Sequence, residues 1–361
     1  MPFSATHHPR RFKLRGERLT ASGHVGAYSE HRGDWAYLQM AFGFEHYYKT
    51  NYCCHLCKAH VRIRRLSFTD FSRTAHVRST RISNEDFLRQ LRCARVVCPL
   101  IDIPGFNIWR VWADAMHTID LGILQHALAS ALFELTETTA VWNASNRKLR
   151  LYKARANYTS WCAANTCGQT CPRFEEQALK HVGEYPVFTQ RQGKASAVRA
   201  MQYWTGDICN QLAAHSPTEA NNLRAGLFDN FLRLDVLTRR APRTPSLEEA
   251  EAMADACESM LCTYNALAVA AALRHELLYK IIPKHHMCTH IFYDMAPHAN
   301  PRRVHCYADE DMVGKVKKLV NACHGKAACV KAILRYGILI GLRWERQVCA
   351  LRGVRIVLPR R

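Results

Sequence analysis

Residues 32–57 read RGDWAYLQMAFGFEHYYKTNYCCHLC, with an acid at Asp34 and, twenty positions later, Cys54-x-x-Cys57. Between them Trp35, Leu38, Phe42 and Tyr47 recur at near-helical steps, which predicts a helix over 35–48 packed on one face. That helix leads into the cysteines. A Cys-x-x-Cys turn presents two thiolates from one tight bend, half of the tetrahedral donor set that zinc prefers. Cys53 leaves the register of the pair open.

The matching half lies far downstream, in Lys284-His285-His286-Met287-Cys288-Thr289-His290. His286 and His290 share one face of a helix, and His285 with His290 would serve in a less regular segment. Cys57 and His285 are 228 positions apart, so a metal site requires the fold to join them. Without that convergence the residues are an incidental cysteine turn and an exposed, His-rich helix start. Twenty positions beyond His290 comes Glu310, within Asp309-Glu310-Asp311. This acidic turn reads equally as the start of a helix running through Lys315, Lys317 and Lys318. Asp34, too, reads either as a helix cap or as a functional carboxylate.

Composition bounds the function. At 361 residues and 48% hydrophobic content the chain can bury the cores of two or three ordinary domains. Lys and Arg number 50 against 30 Asp and Glu, a formal charge of +20, so a polyanion is the natural partner and nucleic acid comes first. Residues 58–95 hold ten Lys or Arg against three acids, interleaved with Phe68, Phe71 and Phe87. Arg62, Arg64, Arg65, Arg73, Arg78 and Arg81 are the candidate phosphate contacts there, with Lys315, Lys317 and Lys318 a second set. The N-terminus has no apolar stretch of a secretory signal. No window is expected to span a bilayer, the longest being 267–273 and 333–342. The expectation is a nuclear or otherwise intracellular protein without a membrane partner, compatible with a homo-oligomer. Its sixteen cysteines then read as buried thiols and metal ligands rather than disulfides.

Elsewhere the chain reads as mainly helical. A short strand is expected at 25–28, and a helix from Ser83, with Glu85 and Asp86 in its first turn, through Leu91 and Arg95. Residues 106–112 have strand-like content, or form an irregular buried segment. Apolar stripes mark helices over 118–138, 195–213, 218–236 and 246–272, the last opened by a Ser246/Glu249 capping box. The preceding linker, 239–245, is the expected break between subregions. Two more helices are expected over 309–322 and 326–347, before a basic tail. Asp114 and His117, one turn apart, would with Asp120 either coordinate a metal or satisfy loop amides. Cys162, Cys167 and Cys171 lack a clear fourth ligand.

In their order these motifs resemble the catalytic core of DDE-type DNA transposases, in particular the supergroup of the CACTA and Mirage elements. The 32–35 and 51–57 segments are similar to that group's second catalytic aspartate and Cys pair, and 114–117 to its Asp-x-x-His signature. The 284–290 segment resembles its His-containing block, and Tyr307-Ala308-Asp309-Glu310 with Gly314 and Lys315 the block of its last glutamate. The V(D)J recombinase core is arranged similarly, with Cys and His pairs holding a zinc. The resemblance spans residues 30–322.

The resemblance implies an RNase H-like fold in which three carboxylates hold two Mg²⁺ or Mn²⁺ ions for phosphodiester transfer. Asp34 would be the second acid and Glu310 the third. The first is missing: residues 1–33 contain no aspartate and only Glu17 and Glu30. The expected object is the later part of such a core, truncated or degenerate, inactive in strand cleavage by itself. Its fold would be mainly α with a small α/β part, a partial RNase H-like core carrying a large helical insertion. Residues 1–50 would form a basic segment and core remnant, 51–300 the insertion with an internal break near 239–246, and 301–361 the last helices and tail. The expected function is DNA binding with a structural Zn²⁺. The alternatives are a non-catalytic, zinc-stabilised nucleic-acid or chromatin-binding protein and, third, a zinc hydrolase.

Overall fold

Two short strands and the helices that follow them set the frame. In the computed structural model, which describes residues 30–92, 98–168, 172–179, 184–189, 193–321, 330–331, 333–338 and 341, strand β1 (His31–Gly33) runs into helix α1 (Trp35–Phe42). Asp34 caps α1 by accepting the Tyr37 N–H, and Gly43, at φ 66°, ends it by closing on the Gln39 carbonyl. The predicted helix over 35–48 therefore stops at Phe42. Leu38 and Phe42 are buried, and a ring cluster of Phe42, Phe44, His55, Phe87 and Phe106 grows around them.

Strand β2 (Val111–Ala113) pairs parallel to β1, with His31 opposite Val111 and Gly33 opposite Ala113. The Asp114 N–H continues the ladder to the Gly33 carbonyl at 2.9 Å. Asp34 and Asp114 thus follow the ends of adjacent parallel strands. Only the last residues of the predicted 106–112 strand are extended, because 108–110 form a 3₁₀ turn capped by Asn107. Helix α2 (Asn84–Arg92) begins as predicted, with the Ser83 hydroxyl accepting the Asp86 N–H at 3.0 Å.

Beyond β2 a π-helical stretch (Met116–Ile123) passes into α3 (Leu124–Leu135). Helix α4 (Arg147–Ala164), capped by Asn146, was not foreseen: it is polar on most sides and buries only Leu151, Ala154, Tyr158 and Cys162. Helices α5 (Ala195–His215), α6 (Glu219–Arg240) and α7 (Leu247–Leu273) pack in succession, and α7 opens with the predicted Ser246/Glu249 box. Buried Asn300 staples the 239–245 linker, donating to the Thr238 and Ala241 carbonyls at 2.8 and 2.9 Å. The linker is therefore a turn within one unit rather than a break.

The chain divides elsewhere, into a unit ending at His305 and a second beginning at Cys306. The first unit closes with α8 (Pro283–Thr289) and a π turn (His290–Met295), and the second contains α9 (Tyr307–Asn321). Contrary to expectation, α7 is long and apolar enough, by length and composition alone, to cross a bilayer. It buries Met253, Cys257, Met260, Tyr264 and Leu267 in the core. The fold is mainly helical with a small parallel β element. The strand expected at 25–28, Cys171, most of the 326–347 helix and the basic tail lie outside the described residues.

Candidate metal centre

The Cys pair sits in an irregular knuckle. An antiparallel bridge joins Tyr52 to His60, and the Cys53 N–H reaches the Ala59 carbonyl at 2.9 Å. The Leu56 N–H points at Cys54 Sγ, 3.3 Å away. A backbone donor aimed at sulfur favours the thiolate. The Leu56 carbonyl accepts from the Ile82 N–H at 3.0 Å, which fastens the turn to the segment entering α2.

Helix α8 and its continuation bring the imidazoles. Cys57 Sγ lies 3.1 Å from His286 Nε2 and 3.5 Å from His290 Nε2, and the two Nε2 atoms are 3.2 Å apart. The donor atoms of Cys54, Cys57, His286 and His290 all lie within 4.8 Å of one another, and all four residues are buried. Metal bonds of about 2.0–2.3 Å arranged tetrahedrally place donors roughly 3.3–3.8 Å apart, so this set fits a four-coordinate ion. A cleft of about 520 Å³, lined by Cys54, Cys57, Lys58 and Arg81 among others, supplies a route to it. The alternative pair does not form: His285 packs against Tyr264, with ring centroids 4.4 Å apart, and its Nδ1 contacts the Ile282 carbonyl.

The electrostatics prepare the cluster for a cation. Hydrogen bonding from Cys54, then the two histidines, hold the Cys57 thiol far below its ordinary range against the opposing effect of burial. Burial, then the hydrogen bond to Cys57, push Cys54 well up. The two thiols are thus pushed in opposite directions, and a metal ion binding both sulfurs would displace the protons they hold. Burial lowers His286. His290 is moved the other way: burial opposes its charge, but Asp294 and Cys57 raise it to about 9. His290 Nδ1 is 2.7 Å from Asp294 Oδ2, and the same carboxylate receives Arg78 and Arg81. Such a carboxylate–histidine pair orients the ring and makes its other nitrogen a better ligand. The sequence reading missed Asp294, although its i+4 spacing from His290 is a visible helical signal.

Asp34 caps α1, and Asp114 Oδ2 lies 3.0 Å from the His117 N–H and 2.7 Å from its Nδ1. Lys284, at the start of α8, donates to the His117 and Leu121 carbonyls at 2.6 and 3.1 Å, filling the widened π turn. Gly122 makes room, since a Cβ there would stand 2.6 Å from Lys284 Cδ. Burial lowers Lys284 to about 8, although Asp34 and Asp114 support its charge. Asp120 is engaged by Arg199 at 2.7 Å. Glu310 is exposed in the separate second unit, as are Lys315, Lys317 and Lys318, with Lys315 paired to Asp311.

The arginine expectation divides. Arg73 meets Glu251, Asp255 and Glu258 of α7, and Arg78 and Arg81 meet Asp294. These three brace the knuckle against the helices, whereas Arg62, Arg64 and Arg65 are exposed. Neither protein-family models, nor curated proteins, nor solved structures yield a match to this chain.

Proposed function

We propose that this chain is a DNA-binding protein derived from a DDE-type transposase core, held together by a structural zinc ion and without strand-cleaving activity of its own. The observation that carries the reading is the convergence of Cys54 and Cys57 with His286 and His290 across more than 220 positions. That convergence supports the ordered motifs as parts of one architecture rather than chance matches. Zinc is favoured over harder cations because two thiolates and two imidazoles are soft or borderline donors, and four protein ligands leave no open position for a catalytic water. A zinc hydrolase is thereby disfavoured.

The parallel β1–β2 pair, with an aspartate following each strand, is in keeping with two neighbouring strands of an RNase H-like sheet. The formal charge of +20 supports a polyanionic partner. Asp34 and Glu310 would be remnants of the acid triad, and Mg²⁺ or Mn²⁺ would bind productively only with the triad complete.

The test uses the full chain. Elemental analysis should give about one zinc per chain, lost in Cys57→Ser. Fluorescence anisotropy should detect binding to a DNA duplex at low salt, while incubation with Mg²⁺ or Mn²⁺ should leave supercoiled plasmid intact. Metal-free purified protein that is fully folded would overturn the zinc assignment, and absence of duplex binding would overturn the DNA reading. Nicking that disappears in Asp34→Ala would overturn the inactive assignment.

A further inference from the structure

Within the knuckle, one run of arginines differs from the rest. Arg73, Arg78 and Arg81 each face carboxylates of the helical body. Residues 60–65, His60-Val61-Arg62-Ile63-Arg64-Arg65, contain three more arginines, and none of these has a carboxylate within ion-pair distance among the described residues. All three are exposed, and Val61 and Ile63 between them are 40% and 41% exposed.

Such a run ordinarily relaxes by spreading its charges, but this one is pinned. The His60 ring is buried, and its Nδ1 accepts the N–H groups of Arg62 at 2.9 Å and Ile63 at 3.1 Å. The His60 N–H donates to the Leu66 carbonyl at 2.7 Å, and the Leu66 N–H to the Ile63 carbonyl at 2.9 Å. Val61 is tied to the Asn51 carbonyl at 2.9 Å, alongside the Tyr52–His60 bridge. The backbone that carries the three guanidinium groups is thus fixed, and among the described residues no carboxylate offsets their mutual repulsion.

We propose that the loop over residues 60–66 is a preformed contact surface for the phosphate backbone of duplex DNA, an inference that rests on the DNA-binding reading above. Three observations favour this partner. The cations are all arginine, whose planar fork matches two phosphate oxygens and remains charged at any physiological pH. Three of them fall within four residues, which calls for a partner with closely repeated anions. The exposed Val61 and Ile63 between them suit the apolar faces of the sugars. Fixing the loop in advance reduces the ordering entropy lost on binding. The loop is also tied to the metal centre, because Cys57 lies three residues before His60 on the same knuckle.

The test compares the zinc-loaded full chain with Arg62→Gln/Arg64→Gln/Arg65→Gln and with His60→Ala, titrated by a fluorescent DNA duplex between 50 and 200 mM salt. Each lost phosphate contact lowers the slope of log K against log salt by about 0.9, so the triple variant should lose roughly 2–3 units of slope. Its zinc content and thermal midpoint should match the parent. His60→Ala keeps every charge, and should weaken binding several-fold with the slope unchanged. A triple variant with the parent's slope would overturn the inference while leaving DNA binding by the chain intact. Loss of binding to phosphatidylserine vesicles without loss of duplex binding would overturn it in favour of a membrane surface. No duplex binding by the parent would instead remove the reading on which the inference rests.

Discussion

The metal cluster and the strand ends are both built by bringing distant segments together, yet they reach opposite electrostatic conditions. At the cluster, four soft or borderline donors converge in a buried space, and the two thiols are pushed in opposite directions. At the strand ends, Asp34 already accepts the Tyr37 N–H, Asp114 already holds His117, and the Lys284 ammonium lies near both. The first arrangement could take a cation. The second is satisfied by the chain itself. Clustered ligand types are therefore a poor guide to metal binding until their existing partners are counted.

The largest expected effect breaks this contrast if it fails to appear. A strong chelator at neutral pH should lower the thermal midpoint by roughly 10 °C or more, because structural zinc contributes many kcal/mol to small metal-dependent folds. An unchanged midpoint in calorimetry would put the two regions on the same footing. Asp294→Asn comes next. It removes the anion that orients His290 and leaves Arg78 and Arg81 facing an uncharged amide, so zinc affinity should fall about 10–100-fold in a competition with a chromogenic chelator.

A pH experiment on a single-residue variant probes α3, which carries no residue of the cluster. Burial holds His126 of α3 down at about 4, outweighing the hydrogen bond to the Pro186 carbonyl, with Lys280 and Lys284 lowering it further. Its folded value lies below its unfolded one, so the unfolded chain takes up the proton first. Stability should fall as pH drops from about 6.5 to about 4, by roughly 3 kcal/mol in all. His126→Gln should flatten that part of the stability–pH curve measured by urea unfolding, so that the parent's curve falls away from the variant's as pH drops. A parallel pair of curves would show that the ring is not buried as described.

Lys284→Met should cost about 1–3 kcal/mol by orphaning the His117 and Leu121 carbonyls, with zinc content retained. Loss of zinc in this variant would show that the strand ends and the cluster are one cooperative site. The smallest effect belongs to Asp34→Asn. Asparagine caps as well as aspartate, so stability should change by no more than a few tenths of a kcal/mol, whereas Asp34→Ala should cost about 1 kcal/mol.

How much of this was legible depended on how local the physics is. Ser83 and Ser246 announced their helices because a cap and its N–H partner lie three residues apart. The Cys and His pairs were readable from donor type and spacing, although only the fold could choose His286 over His285. The premature end of α1 was missed because Tyr47 continued the apolar rhythm across Gly43. Helix α4 was missed because an exposed helix carries little periodic signal. The fate of Arg73 was not readable at all, since its acidic partners lie 178 to 185 positions away on α7. A basic run in sequence does not say which of its charges remain available.

The distance between the two halves of the metal centre has a meaning during synthesis. Cys57 leaves the ribosome 229 residues before His286. At about 5–20 residues per second, the thiols wait roughly 10–50 s for their imidazoles. During that interval the nascent Cys pair stands without its buried surroundings, open to oxidation and to capture by softer ions such as Cu⁺. A metal cross-link there would close a loop of that length, which in the chain-entropy treatment of such constraints removes about 5 kcal/mol of freedom from the unfolded chain. An ion bound there would thus wait for both halves of its site and would forbid many other conformations.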